Sequence, residues 1–197
     1  MNSTDSTTGM GAKLISASGM SLSQAGFGSE DAELAIYLAN RPPLDDYPLL
    51  DHVKPLLPGE LAYIVANTSN HWRKVFNVYA KFLAALAWDG TVEAGTWQKY
   101  RDTGLLQSGC REALLFSSPV FTQQLSCTEG CQNKISIVAG KTYAAQLALP
   151  TLTWLDAYFA INRDYKVIVS PYLDYRQLSN ERIDRLAGLV RELSDVR

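Results

Sequence analysis

The strongest constraint on the fold lies near the C-terminus. There an apolar run, Val167-Ile168-Val169, breaks at Ser170-Pro171 and passes through Tyr172-Leu173-Asp174-Tyr175-Arg176-Gln177 into a segment where Ile183, Leu186, Ala187, Val190 and Leu193 recur at intervals of three and four. That spacing places the five on one helical face, with Ser179 or Asn180 positioned to cap the first turn. The pattern is a buried strand, a loop and a core-facing helix. Open α/β sheets bind ligands at the carboxyl ends of their strands, so residues 170–177 are where function is first expected.

The same pattern recurs upstream. Residues 61–66 form an apolar run closed by Asn67-Thr68-Ser69-Asn70, after which Trp72, Val75, Val78, Tyr79, Phe82, Leu83 and Leu86 keep helical spacing. Residues 113–116 are a second run, closed by Ser117-Ser118-Pro119. Residues 135–139 are a third, closed by Gly140 before a helix with Tyr143, Ala144 and Leu147; residues 167–169 are the fourth. A weaker helix is expected over 96–101. Strands separated by helices predict a mostly parallel central sheet covered on both faces, a three-layer α/β/α sandwich. Residues 30–40, with Leu34, Ile36, Tyr37 and Leu38, predict a short helix stopped by Arg41-Pro42-Pro43. Residues 1–29, rich in Ser, Thr and Gly, are expected to be a flexible tail, leaving 30–197 as a single domain.

The 197 residues are 47% hydrophobic, enough for one real core, and the formal charge of −2 argues against gripping nucleic acid by bulk electrostatics. No apolar run reaches the ~18 to 20 residues of a membrane span, and the N-terminus lacks the pattern of a secretion signal, so a cytoplasmic location is expected. Cys110, Cys127 and Cys131 read as reduced thiols. Cys127 and Cys131 lack the spacing and the second pair of a zinc site even with His52 and His71 elsewhere, and neither metal nor cofactor is expected. Gly140-Lys141-Thr142 ends like a phosphate loop, but Ile135 stands where that loop needs its first Gly.

Several of these stretches, taken in order, carry a resemblance. Pro58-Gly59 precedes the first expected strand. Asn70-His71-Trp72-Arg73-Lys74 is similar to an Asn-Arg-Phe-Trp-Lys segment, and residues 105–110 with 113–119 are similar to a Leu-Leu, Gly, strand and Arg-Pro-Thr region. Val138-Ala139-Gly140-Lys141 is similar to a strand ending in Gly-Lys. Over residues 56–193 the chain thus resembles the branch of the uracil-DNA glycosylase superfamily that holds the mismatch-specific uracil and thymine glycosylases. The resemblance implies that fold and an N-glycosidic hydrolase of DNA repair. It also implies an Asn after strand one that holds the attacking water: Asn67 if one residue is skipped, Thr68 if not. Two features depart from that family. Its base-stacking insertion before the Asn-Arg-Phe-Trp-Lys segment is nearly absent, and Pro171-Tyr172-Leu173-Asp174-Tyr175-Arg176 replaces its small wedge residues. Release of uracil from standard substrates is therefore expected to be slow or absent.

Cleaving an N-glycosidic bond needs a group that places water, a donor to the leaving base and room for an extruded nucleotide. Asn67 is the candidate for placing water, against a turn residue satisfying its own backbone. Asp174 would assist as a carboxylate, against a surface brace with Arg176. Thr68, Ser69, His71, Tyr172, Tyr175 and Arg176 are candidate ligand-binding residues, and Arg73 and Lys74 candidate phosphate contacts. The alternative is a non-catalytic member of the fold that binds a nucleotide or a protein in the same cleft. Any DNA contact is expected to be weak, and nothing in the sequence fixes the oligomeric state.

Overall fold

The computed structural model describes residues 24–86, 96–121 and 134–195. The N-terminal half runs β1 (Gly26–Gly28), β2 (Leu34–Tyr37), a single 3-10 turn (Tyr47–Leu49), β3 (Val53–Lys54), α1 (Glu60–Asn67), α2 (Asn70–Leu86) and α3 (Trp97–Thr103). The rest is β4 (Glu112–Leu115), β5 (Ile135–Ala139), α4 (Lys141–Ala144), β6 (Thr153–Trp154), β7 (Ala160–Asn162), β8 (Val167–Ser170) and α5 (Asn180–Asp195). The eight strands form one sheet in the order β3-β1-β4-β2-β5-β8-β7-β6. The chain is therefore α/β, but the sheet is mixed rather than mostly parallel. Four adjacent central strands, β4, β2, β5 and β8, run parallel, while β1 on one flank and β7 on the other are antiparallel to their inner neighbours. Short turns join β6, β7 and β8, and a short turn can connect only antiparallel neighbours.

Side chains alternate between two apolar clusters. Leu34, Ile36, Leu114, Ile137 and Ile168 share one with α2 and α5, whose buried stripes include Trp72, Val75, Phe82, Ile183, Leu186 and Val190. Ala35, Tyr37, Ala113, Leu115, Val138 and Val169 share the other with Ala144, against which Tyr143, Leu147, Leu149 and Leu152 pack. A strand buried on both faces loses the simple polar alternation. That is why Leu34–Tyr37, all four buried, is a strand where a helix was expected.

Two further expectations are corrected. Residues 61–66 belong to helix α1, not to strand one. Only Leu61 and Ile64 of α1 are buried, while Ala62, Tyr63 and Ala66 are exposed, an amphipathic and hence helical pattern. The Glu60 carboxylate accepts the Leu57 amide at 2.7 Å, fixing the helix start. The tail boundary at residue 29 is also too late, because β1 pairs with β3 and β4 and Phe27 is fully buried. A Cβ on Gly26 would stand 2.2 Å from the Leu114 carbonyl oxygen, and one on Gly28 2.3 Å from that of Glu112. The Gly-Phe-Gly composition that reads as tail is what lets β1 lie close against β4. Residues 1–23, and with them the rest of the expected tail, lie outside the described residues.

Candidate site at the carboxyl ends of the central strands

Four segments leave the parallel strands at one end of the sheet: residues 38–43 after β2, 116–121 after β4, 140 after β5 and 171–177 after β8. The chain leaving β2 re-enters the sheet as β3 and then β4 on one side, and the chain leaving β5 re-enters it as β6, β7 and β8 on the other. Adjacent strands whose connections diverge leave a crevice between them, here between Asn40 and Gly140. Gly140 has φ of 107°, a conformation side chains rarely adopt, and the Tyr172 ring lies where its Cβ would be 3.5 Å away.

The first turn of α2 is held above this crevice by aromatic packing. Trp72 meets Phe116 edge-on at 6.0 Å between ring centres, and Phe116 meets Phe27 at 5.1 Å. The preceding residue, His71, stacks on Tyr172 with ring centres 5.5 Å apart and planes inclined by 27°. The Tyr172 hydroxyl and His71 Nε2 are 2.9 Å apart. Burial lowers the His71 pKa; the Asp174 charge opposes this and the Lys74 charge adds to it. Burial raises the pKa of Tyr172, with a hydrogen bond from Asn40 pulling the other way. Phenol and imidazole are therefore both neutral. With both groups neutral, the bond runs from the phenol to Nε2 when the imidazole proton is on Nδ1, and from Nε2–H to the phenol oxygen in the other tautomer.

Beside this pair, Lys74 Nζ lies 2.9 Å from Asp174 Oδ2, and the Arg176 amide donates to Oδ1 at 2.9 Å. Partial burial pushes the Asp174 pKa up, but the Arg176 amide and the Lys74 ammonium outweigh it and hold the carboxyl below the usual carboxylate range. Lys74 also stands 5.1 Å from the centre of the Tyr175 ring, and Arg176 5.8 Å. The cluster is thus a neutral relay, Asn40-Tyr172-His71, next to an ion pair whose carboxylate has both oxygens engaged. It suits recognition of a polar, ring-bearing ligand better than activation of water, because the Lys74 ammonium and the Arg176 amide hold the carboxyl below the usual carboxylate range and so make it a weak base.

Of the residues expected from sequence, His71, Lys74, Tyr172, Asp174, Tyr175 and Arg176 come together here. Asn67, Thr68 and Ser69 do not follow a strand, because residues 61–66 are part of helix α1. Asn67 Nδ2 donates to the Tyr63 carbonyl at 2.9 Å, Thr68 Oγ1 donates to that of Ile64 at 2.6 Å, and the Ser69 carbonyl accepts the Trp72 amide at 3.2 Å. All three serve the α1–α2 junction. Arg73 is exposed and donates to Asn70 Oδ1 at 2.7 Å. Asn40 was missed, although a polar residue between an apolar run and Arg41-Pro42-Pro43 is the signal that marks it. A separate groove of about 280 Å³ is lined by Lys81, Ala85, Trp97, Asn180, Ile183 and Asp184 and shares no residue with the cluster. Among the described residues no three His, Cys, Asp or Glu side chains are grouped to hold a metal ion, and none of the helices is long and apolar enough to cross a membrane. Cys127 and Cys131 lie outside the described residues.

Residues 25–191, from the start of β1 into the last turn of α5, match a family of unknown function, DUF6942. The chain belongs to this family. No curated protein and no solved structure matches it. The matched span begins at β1, so the family includes the strand that composition assigned to the tail.

Proposed function

We propose that the protein recognises a nucleobase in DNA, on a three-layer α/β/α fold of the uracil-DNA glycosylase type. Two features support the fold reading: the run of four parallel strands, and the separate apolar clusters on the two sheet faces. The functional reading is carried by one observation, the neutral Asn40-Tyr172-His71 relay at the point where the connections of β2 and β5 diverge. An unpaired base offers ring faces and a mixed donor and acceptor edge, which an amide, a phenol and a neutral imidazole can meet without the cost of burying a charge. Arg176 lies beside it for a flanking phosphate. In this reading Asn40, not Asn67, is the amide that faces the base or places a water. Because its partners hold the Asp174 carboxyl below the usual range and weaken it as a base, base excision is slow or absent in this reading.

The test compares binding and abasic-site formation on uracil-containing single strands, U:G mismatches and matched strands carrying an abasic analogue. Loss of one or two hydrogen bonds should cost Asn40→Ala and Tyr172→Phe about tenfold in the preference for the uracil strand over its abasic counterpart. Asn67→Ala should keep that preference. Equal affinity for the two strands in the wild type would end the reading. Abasic-site formation that depends on Asn40 would extend it to catalysis.

A further inference from the structure

The β6–β7 turn and the edge strand beside it also lie at this end of the sheet. Trp154 pairs with Ala160, Ala160 with Val169 and Val169 with Val138, so Trp154 lies in the last row before the carboxyl ends of β5 and β8. Its side chain is 45% exposed and carries Lys141 over the ring at 4.5 Å. In the turn that follows, Tyr158 is 47% exposed with the Arg182 guanidinium 3.6 Å from its ring centre. Arg182 Nη1 donates to the Gln177 carbonyl at 2.5 Å, which ties the turn to the loop after β8. That loop carries Tyr175, 53% exposed, with Lys74 and Arg176 over it. Asp156 fixes the turn by accepting the Tyr158 and Phe159 amides and by its 2.8 Å ion pair with Arg185.

We propose that this rim is a track for single-stranded nucleic acid, with Trp154, Tyr158 and Tyr175 stacking on bases while Lys141, Arg182 and Arg176 meet phosphates. The choice of ligand class rests on the nucleobase reading above; the rim itself is carried by its own residues. A ring covered on one face by a cation and still about half exposed offers its remaining surface to a flat partner. Bases supply such partners once unpaired, whereas in a duplex their faces are already stacked. The cations are few and Lys74 is paired with Asp174, so binding should involve about two or three phosphates, with a slope of log affinity against log salt of about −1.4 to −2.1.

The test uses labelled oligothymidine and oligoadenine of about 12 nucleotides, within the ~4 to 16 that single-strand grooves cover, beside a duplex of the same length. Both single strands should bind to a similar extent, and the duplex more than about tenfold more weakly. Trp154→Leu, Tyr158→Leu and Tyr175→Leu should each lower affinity for both strands roughly five- to a hundredfold. The melting temperature should stay unchanged, since these rings are half exposed. If a ring substitution does unfold the chain, Lys141→Glu with Arg182→Glu gives a second reading, expected as weaker binding and a shallower salt slope. Failure of the nucleobase reading would appear as equal affinity for the uracil strand and its abasic counterpart beside rim variants that still lose affinity for both oligonucleotides. Three folded ring variants that bind as the wild type does, a duplex bound as tightly as the single strands, or no binding to either strand would overturn the track.

Discussion

Glu112 is the most deeply buried acid described, and its three bonds explain why it is tolerated. Tyr100 donates to Oε1 at 2.7 Å, as does the Leu106 amide at 3.1 Å, and the Arg111 amide donates to Oε2 at 3.2 Å, so one carboxylate organises the loop that leads into β4. Burial raises its pKa against the pull of these donors. With the folded pKa above the unfolded one, its contribution is complete below the unfolded pKa and is lost as pH rises through the folded pKa. Asp174 has the opposite sign. Its depressed pKa gives stability above the unfolded value that is lost as pH falls through the folded one, about 1 kcal/mol for a pair whose side chains are 22% and 19% exposed. Denaturant titrations across pH should therefore show Glu112→Gln flattening the loss on the alkaline side of the carboxylate range and Asp174→Asn flattening the loss on the acid side. Glu112→Ala should cost on the order of 3 kcal/mol on the acid side of the carboxylate range, because three donors lose their acceptor, and less as pH rises through the folded pKa. At this scale much of the candidate site was legible. His71, Lys74, Tyr172 and Asp174 stand out as polar residues flanking apolar runs. The partners of Glu112 were not, because the left-handed turn at Leu106, φ 60°, which sets its amide toward the carboxylate, is a tertiary outcome.

Among the elements, the long amphipathic helices and the runs at residues 113–116, 135–139 and 167–169 could be read from periodicity, and each appears within a residue or two of its expected place. Short apolar runs could not, since four to six consecutive apolar residues fit a buried strand and a helix equally well. That ambiguity exchanged β2 with α1 and moved the expected site amide from Asn40 to Asn67. β1 was illegible for another reason: its glycines serve a close approach to a strand more than eighty residues away in sequence. A thermal melt can show what β1 contributes. A chain beginning at Ser29 loses the fully buried Phe27 and opens β4 as a sheet edge. Removing a buried Phe alone costs about 3 to 5 kcal/mol, so this chain should melt at least ~10 °C below one beginning at Gln24. Equal melting temperatures would make β1 a passive addition to the sheet.

The whole sheet grades from a double-covered parallel centre to two-residue edges at β3 and β6, both residues of β6 being exposed. Stability should follow that grade. Amides of Ile36, Leu114, Ile137 and Ile168, flanked on both sides by paired strands and buried on both faces, should exchange with solvent only on global unfolding; those of residues 153–161 should exchange through local opening. The proposed track lies on the less stable side of this gradient, where Trp154 projects from β6 and Tyr158 from the β6–β7 turn, while the Tyr172 relay is anchored on the central strands. A ligand that stacks along the rim should therefore slow exchange in residues 153–161 and 172–178, whose local openings break its contacts, leave the opposite edge at β3 unchanged, and slow the four central strands only through the rise in the global unfolding free energy. Hydrogen exchange with and without saturating oligothymidine measures this directly. Slowing of residues 171–177 without slowing of residues 153–161 would indicate a ligand held by the cleft alone, and residues 153–161 slowed no more than the β3 edge would remove the rim as its contact.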